Sequence, residues 1–342
     1  MACFFNLGRS TLMVHLLPCP SRTLIKPMPP APSSFLKTLV LSVIALSPVL
    51  TSLASADDTH PLKPMLWKVV GNGLTQPSYL FGTIHIGKPP VCNLHPAAQK
   101  AFDSAESLYT EIAVDDTAIK LLSPIAKRTD GISLEESLGR DRCNSVNEEL
   151  KAINPAATTK PFRNLSTWYL AATMPLLSYQ LVGYKPLDLV LWDKAAKAGK
   201  KTAGLETPKG HFKSFTDLTE SEQLILLDGV VDGLKRARKE GKDPIKELIC
   251  AYISGEPAKI AALTDKEMQD IFEDQHKVLE ENLKKHLLTD RDKSMAVTIS
   301  NVLKKEPDTV HFFAVGAGHL CRENGIRSHL EKEGFKVTVV EK

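Results

Sequence analysis

Strand-type segments sit at the two ends of this chain, and helical periodicity fills the middle. Near the start, 66–70 and 78–81 read as short strands joined through Gly71-Asn72-Gly73, whose Asn-Gly pair suits a hairpin turn. Segment 107–114 (Ser-Leu-Tyr-Thr-Glu-Ile-Ala-Val) alternates as a strand should, and 201–205 is a further short strand. Near the end, 308–316 (Asp-Thr-Val-His-Phe-Phe-Ala-Val-Gly) is the strongest buried strand, and 335–340 closes as the last. Helical patterns cover 96–105, 117 to about 183, 188–198 (with Gly199 at the C-terminal cap), 244–254, 265–309 and 319–334. A capping box, Thr219 with Glu222, opens another helix over 219–238. This distribution predicts an α/β fold of α+β character. One mixed central sheet is built from both ends of the chain, flanked by helices, with a largely helical insert over about 117–183 and 209–306. Strand, helix and strand in succession over 308–340 imply a right-handed parallel crossover.

Charge is unevenly spread. Residues 1–56 hold Arg9, Arg22, Lys26 and Lys37 and no acidic residue, which leaves 39 basic against 40 acidic residues in the remainder. A nucleic-acid binder shows a basic excess in its folded part, so no nucleic-acid partner is expected. Lys37, the apolar run 39–46, Ser47-Pro48 and Ala54-Ser55-Ala56 follow the grammar of a secretory signal peptide. The expectation is a leader over 1–56, a mature chain of one domain over 57–342, and export to a periplasmic or extracellular space. Met28 is an alternative start, and an uncleaved leader is the expected route to any membrane. Cys3 and Cys19 leave with the leader. Cys92, Cys143, Cys250 and Cys321 allow one or two disulfides or stand as four thiols, and no C-x-x-C pair is present.

Two segments share one grammar: apolar strand, glycine turn, histidine. They are Gly82-Thr83-Ile84-His85 and Gly316-Ala317-Gly318-His319. In open α/β sheets ligands bind beyond the carboxyl ends of strands, where both motifs fall. Glu111 lies inside a strand, where glutamate is disfavoured, so it is either solvent-facing or functional. Glu206 ends the short strand 201–205. Two histidines and two glutamates at strand ends can converge on one divalent ion, or act without metal as a histidine base oriented by a carboxylate. Arg291 falls in a helical region at an apparent cap. It can bind an anionic group, pin a glutamate, or pair at the surface with Asp290 or Asp292. His211, close after Glu206, is a rim candidate. His311 reads as packed in its strand, and His276, His286 and His329 as solvated helix faces. No H-E-x-x-H, G-x-S-x-G or P-loop is present.

Taken in order, Leu66-Trp67-Lys68-Val69, the run Tyr-Leu-Phe-Gly-Thr-Ile-His-Ile-Gly at 79–87, Glu111, Gly-Leu-Glu-Thr at 204–207, Leu-Leu-Thr-Asp-Arg at 287–291 and Val-Gly-Ala-Gly-His-Leu at 315–320 resemble the TraB/GumN family, related to the Tiki proteins. The resemblance covers roughly 64–340. It implies a fold of the erythromycin-esterase and ChaN-like type, with His85, Glu111 and His319 as the active site and Glu206 and Arg291 as associated polar positions. It also implies the metal-dependent proteolysis of the Tiki proteins. Two departures stand out: Cys321-Arg322-Glu323-Asn324-Gly325 keeps only the later glycine of the usual H-L-x-G-x-x-G, and Arg291-Asp292 replaces a usual Arg-Asn pair.

The expected function is that of an exported metal-dependent hydrolase, a peptidase by the resemblance. His85, Glu111 and His319 would hold Mn, Co or Zn, and Glu206 or Arg291 would orient substrate or stabilise developing charge; the partner is a peptide or small-molecule substrate. Two alternatives stay open: a periplasmic binding or inhibitory protein for a peptide, glycan or haem, and a metal-free histidine hydrolase.

Overall fold

The computed structural model describes residues 60–272 and 274–341. The expected leader, 1–56, and a mature start at Asp57 lie outside the described residues. Six strands, β1 (Leu66–Gly71), β2 (Ser78–Thr83), β3 (Ser107–Ile112), β4 (Lys201–Glu206), β5 (His311–Gly316) and β6 (Phe335–Val339), form one sheet. Their order is β4-β3-β5-β2-β1-β6. β4, β3, β5 and β2 are mutually parallel neighbours, and β1 pairs antiparallel with both β2 and β6. The sheet is therefore mixed and drawn from both ends of the chain, as the pattern predicts. β5 and β6 run the same way with β2 and β1 between them, so the parallel crossover skips two strands.

The Asn-Gly turn forms as expected: Leu74 N donates to Gly71 O at 3.0 Å, with Asn72 and Gly73 both at positive φ. A residue pair at positive φ is what this turn demands, and asparagine and glycine tolerate it best. The loop is nevertheless longer than a tight hairpin, because pairing resumes only at Val69 and Ser78. β3 is buried along almost its whole length, from Ser107 to Glu111, and β5 from His311 to Val315. The alternation read in 107–114 thus does not mark a half-solvated strand; both faces are covered, as is usual for parallel sheets. Cover comes from helices Pro96–Ser104, Leu187–Lys197 and Asp290–Lys305, whose Phe102, Leu191, Trp192, Ile299 and Leu303 join Phe312 and Phe313 in one apolar cluster.

A second apolar cluster packs the helices between β3 and β5. It joins Leu134, Val146 and Leu150 of helix Leu134–Ile153, Trp168 and Leu170 of helix Thr167–Thr173, and Leu227 and Val231 of helix Glu220–Lys239. The predicted capping box holds, with Thr219 and Glu222 bonded reciprocally. The helical run expected over 319–334 divides into Ala317–Cys321 and Ile326–Lys332. Gly325 lies at the break, its α-carbon so near the His319 carbonyl that a Cβ would sit 2.2 Å from that oxygen. Cys92, Cys143 and Cys321 carry free thiols. Among the described residues, no helix is long and apolar enough to cross a membrane.

Close packing of β3 on β4 gives a test of the sheet. A Cβ on Gly204 would lie 2.4 Å from Ala113 N and 2.9 Å from the Ile112 carbonyl carbon. Gly204→Ala is expected to lower stability by about 1–3 kcal/mol in urea unfolding; an unchanged midpoint would mean the two strands do not approach this closely.

Candidate active site

Parallel pairing puts the carboxyl ends of β2, β5, β3 and β4 at a single edge of the sheet. Thr83 lies level with Gly316, and Ile112 level with Glu206. His85 follows β2 by two residues, Glu111 is the penultimate residue of β3, Glu206 is the last of β4, and His319 belongs to the helical turn after β5. Four segments that are far apart in sequence therefore deliver their polar groups to one place, where ligands of open α/β sheets bind.

The motif glycines have distinct duties. A Cβ on Gly316 would stand 2.9 Å from Oε1 of Glu111, and Gly316 N donates to that same oxygen at 2.6 Å. Glycine here lets the carboxylate reach the backbone. Gly82 instead admits the other motif: its Cβ would lie 3.2 Å from the Ala317 methyl. The buried hydroxyl of Tyr252 donates to Gly82 O at 2.7 Å and steadies that turn. Gly87 N donates to Lys185 O at 2.6 Å and Leu187 N to Ile84 O at 3.4 Å, which docks segment 84–87 on the start of helix Leu187–Lys197.

Arg291 stands at the centre. Its Nη2 donates to Oε2 of Glu111 at 2.6 Å and to Oε2 of Glu206 at 2.7 Å, and Nε lies 3.0 Å from the latter oxygen. Nδ1 of His211 is 2.8 Å from Nη2. The Arg291, Glu111 and Glu206 side chains are 11%, 8% and 7% exposed, so this is a buried ion cluster rather than a surface pair. Arg291 is not at a helix cap as the sequence implies. A π-helical turn, Lys285–Thr289, runs straight into helix Asp290–Lys305 and turns the first residues of that helix toward the sheet edge. Burial alone would push the Glu111 carboxyl up, but the Arg291 guanidinium, with His319, His211 and His85, overrides it and holds it well below the ordinary carboxylate range. Glu206 is lowered too: burial opposes, while hydrogen bonds from His211 and Arg291 prevail. Burial and the adjacent guanidinium lower His211.

Both motif histidines are backed by an aspartate at Nδ1. Asp292 Oδ1 is 2.6 Å from Nδ1 of His319, both side chains being buried, and Nε2 of His319 faces Oε1 of Glu111 at 3.9 Å. Asp188 Oδ2 is 3.4 Å from Nδ1 of His85, while Oδ1 accepts a 2.6 Å hydrogen bond from Thr83. The His85 side chain is 58% exposed. What desolvation it meets opposes charging its ring, yet Asp188, helped by Glu111, raises it above the ordinary imidazole range.

Glu111, Glu206, Arg291 and His319 are thus brought together, and His85 stands at the solvent side within electrostatic reach of Glu111. Glu111 is not solvent-facing. His211 is no rim residue: it lies inside the cluster, placed there by the short helix Pro208–His211 that begins two residues after β4. The capping threonine, Thr207, was the available signal, since its side chain accepts from Gly210 N and turns the chain back. Neither Asp188 nor Asp292 is expected from the sequence to back a histidine; Asp292 enters there as a surface partner for Arg291 and as a departure from a usual Arg-Asn pair. His311 is packed, its Nδ1 2.6 Å from the Ser107 hydroxyl.

Among the described residues, Glu111, Glu206 and His211 offer ligand atoms that all lie within 4.8 Å of one another. Nη2 of Arg291 already occupies their meeting point, so this trio is paired with a cation of the chain itself. Removing that cation strands two buried carboxylates. Arg291→Met is expected to cost about 3–5 kcal/mol at neutral pH in urea unfolding; a loss below ~1 kcal/mol would show that the cluster does not depend on the guanidinium.

The model of the TraB/PrgY/gumN family matches residues 65–339. The chain is similar to the Danio rerio protein named metalloprotease TIKI2, 24% identical over 83% of this chain and 65% of the relative. It is 23% identical to Homo sapiens metalloprotease TIKI1 over 81% of the chain and 62% of the relative. It is 22% identical to a Nematostella vectensis metalloprotease TIKI homolog over 88% and 74%. The chain thus spans somewhat under two thirds of the length of the first two. No solved structure matches it. The match runs from β1 through β6 and takes in both glycine-histidine motifs, Glu111, Glu206 and Arg291, and on that ground the chain belongs to the TraB/PrgY/gumN family.

Proposed function

We propose that this protein is an exported metal-dependent hydrolase acting on peptides, with His85, Glu111 and His319 as the ligands of a divalent transition ion. The observation that carries the reading is the division of labour at Glu111. Oε2 is bound to Arg291, while Oε1 faces Nε2 of His319 at 3.9 Å. Two imidazoles and one carboxylate suit Zn, Mn or Co. The family membership and the metalloprotease names of the relatives support the same class of chemistry. The acid-free segment 1–56, which ends in Ala54-Ser55-Ala56 as a secretory signal does, supports export.

A divalent ion held there supplies, when bound, Lewis acidity and a water of lowered pKa. The chain's own groups do the rest. Glu111, kept ionised by Arg291, is a permanent acceptor at the edge of the sheet. Asp292 holds the His319 ring in place, and Gly316 N fixes the direction of Oε1. Arg291, with its charge spent on two carboxylates, orders Glu111, Glu206 and His211 rather than standing free to bind an anionic group. His85, exposed beside the cluster, leaves the site open to solvent on that side.

The 2.6 Å Asp292–His319 pair also favours a second reading, in which His319 acts as a general base without metal. One experiment separates the two. Metal content of the purified protein is compared with that of the His85→Ala/His319→Ala double variant, and both are screened against a peptide library with Mn or Co, before and after chelation. The expected result is about one equivalent of metal in the parent, little in the variant, and cleavage that chelation abolishes and the ion restores. Cleavage surviving chelation would establish the metal-free base, and stoichiometric ligand binding without product would refute hydrolysis altogether.

A further inference from the structure

We propose that Asp188 and Asp292 are matched positioning residues, each holding one motif histidine through Nδ1 so that Nε2 of His85 and of His319 is the nitrogen offered to the site. Asp292 is 2% exposed. A carboxylate that deeply buried is costly unless it is hydrogen-bonded. Its Oδ1 lies 2.6 Å from Nδ1 of His319. A carboxylate oxygen has no proton to give, so an unprotonated Nδ1 would set lone pair against lone pair at that distance. With Asp292 as a carboxylate, Nδ1 is the donor of this bond, and in that tautomer the lone pair is on Nε2, the atom that faces Glu111.

At the other motif an aspartate again faces Nδ1, across a wider gap. Thr83, a residue of the Gly-Thr-Ile-His motif itself, donates to Oδ1 of Asp188 at 2.6 Å and so turns Oδ2 toward His85. Oδ2 is buried and has no hydrogen-bond partner, and Nδ1 of His85 lies 3.4 Å away. Asp188 sits in the first turn of helix Leu187–Lys197, and Asp292 in the first turn of helix Asp290–Lys305. Two helices thus bring one aspartate each to two motifs on neighbouring parallel strands. Carboxylate partners of this kind fix the orientation and raise the basicity of a ligating imidazole, and their removal typically weakens metal binding 10- to 100-fold.

The affinity arm of the test rests on the metal reading above; the proton assignment does not. In the metal-free protein, the His319 ring is followed by ¹H and ¹⁵N NMR, assigned against His319→Gln. The expected spectrum shows a far-downfield proton on Nδ1, absent in Asp292→Ala and retained in Asp292→Asn, whose amide oxygen still accepts. Co²⁺ affinity by competition titration is expected to fall about 10- to 100-fold in Asp292→Ala and in Asp188→Ala, and less in Asp292→Asn. A His319 proton found on Nε2 overturns the proposal, as do alanine variants that fold, by circular dichroism, and bind Co²⁺ like the parent. Should Asp292→Ala not fold, the parent spectrum and Asp292→Asn decide. Should the parent bind no Co²⁺, the metal reading fails and the Nδ1 signal alone upholds or overturns the positioning role.

Discussion

One guanidinium holds this site together. Arg291 donates to Glu111 at the end of β3 and to Glu206 at the end of β4, and so ties two parallel strands to helix Asp290–Lys305. Two carboxylates buried side by side repel, and without a countercharge one of them would take up a proton. With the arginine between them both do, and Glu111 keeps one oxygen directed at His319. The rest of the edge is arranged around that charge balance: Gly316 gives way to the carboxylate, and the π-turn delivers Arg291 and Asp292 together.

Much of this was legible in the sequence, for reasons that can be named. Strand and helix differ in period, so the placement of strands at both ends could be read directly, and with it the mixed sheet. The two glycine-histidine motifs were legible because each follows an apolar run; their being neighbours follows from β5 entering beside β2. Glu111 stood out as a charge inside a strand, and burial with Arg291 explains it. What the sequence did not disclose are the pairings across the chain. Asp292 meets a histidine 27 residues away, and Thr83 meets Asp188 across 105. Such distances are decided by helix docking, which single-residue patterns do not encode. His211 was undervalued for the same kind of reason, since a four-residue helix decides where its ring goes. At Arg291 the sequence implies a cap because a π-turn has no compositional mark.

The residue pairs also explain why the two motifs look alike without being copies. Thr83 lies level with Gly316, so the motifs are displaced by one residue along adjacent strands. The first leads into a loop docked on Lys185, the second into a helical turn. Their histidines therefore approach from different directions, one exposed and one buried, and each needs its own aspartate.

The strand order has a further consequence, for the way the chain comes off the ribosome. β5 lies between β2 and β3 at the middle of the sheet, yet it is made some 200 residues after them: Ser107 waits for His311 across 204 positions. Until then the β1–β2 hairpin and the β3–β4 pair have no strand between them to join them, and the inner edges of both stay open. Contacts that span such distances form late and leave edges exposed meanwhile. β5 is thus the keystone of the sheet rather than its trim, since without it neither the join between β2 and β3 nor the His319 motif exists.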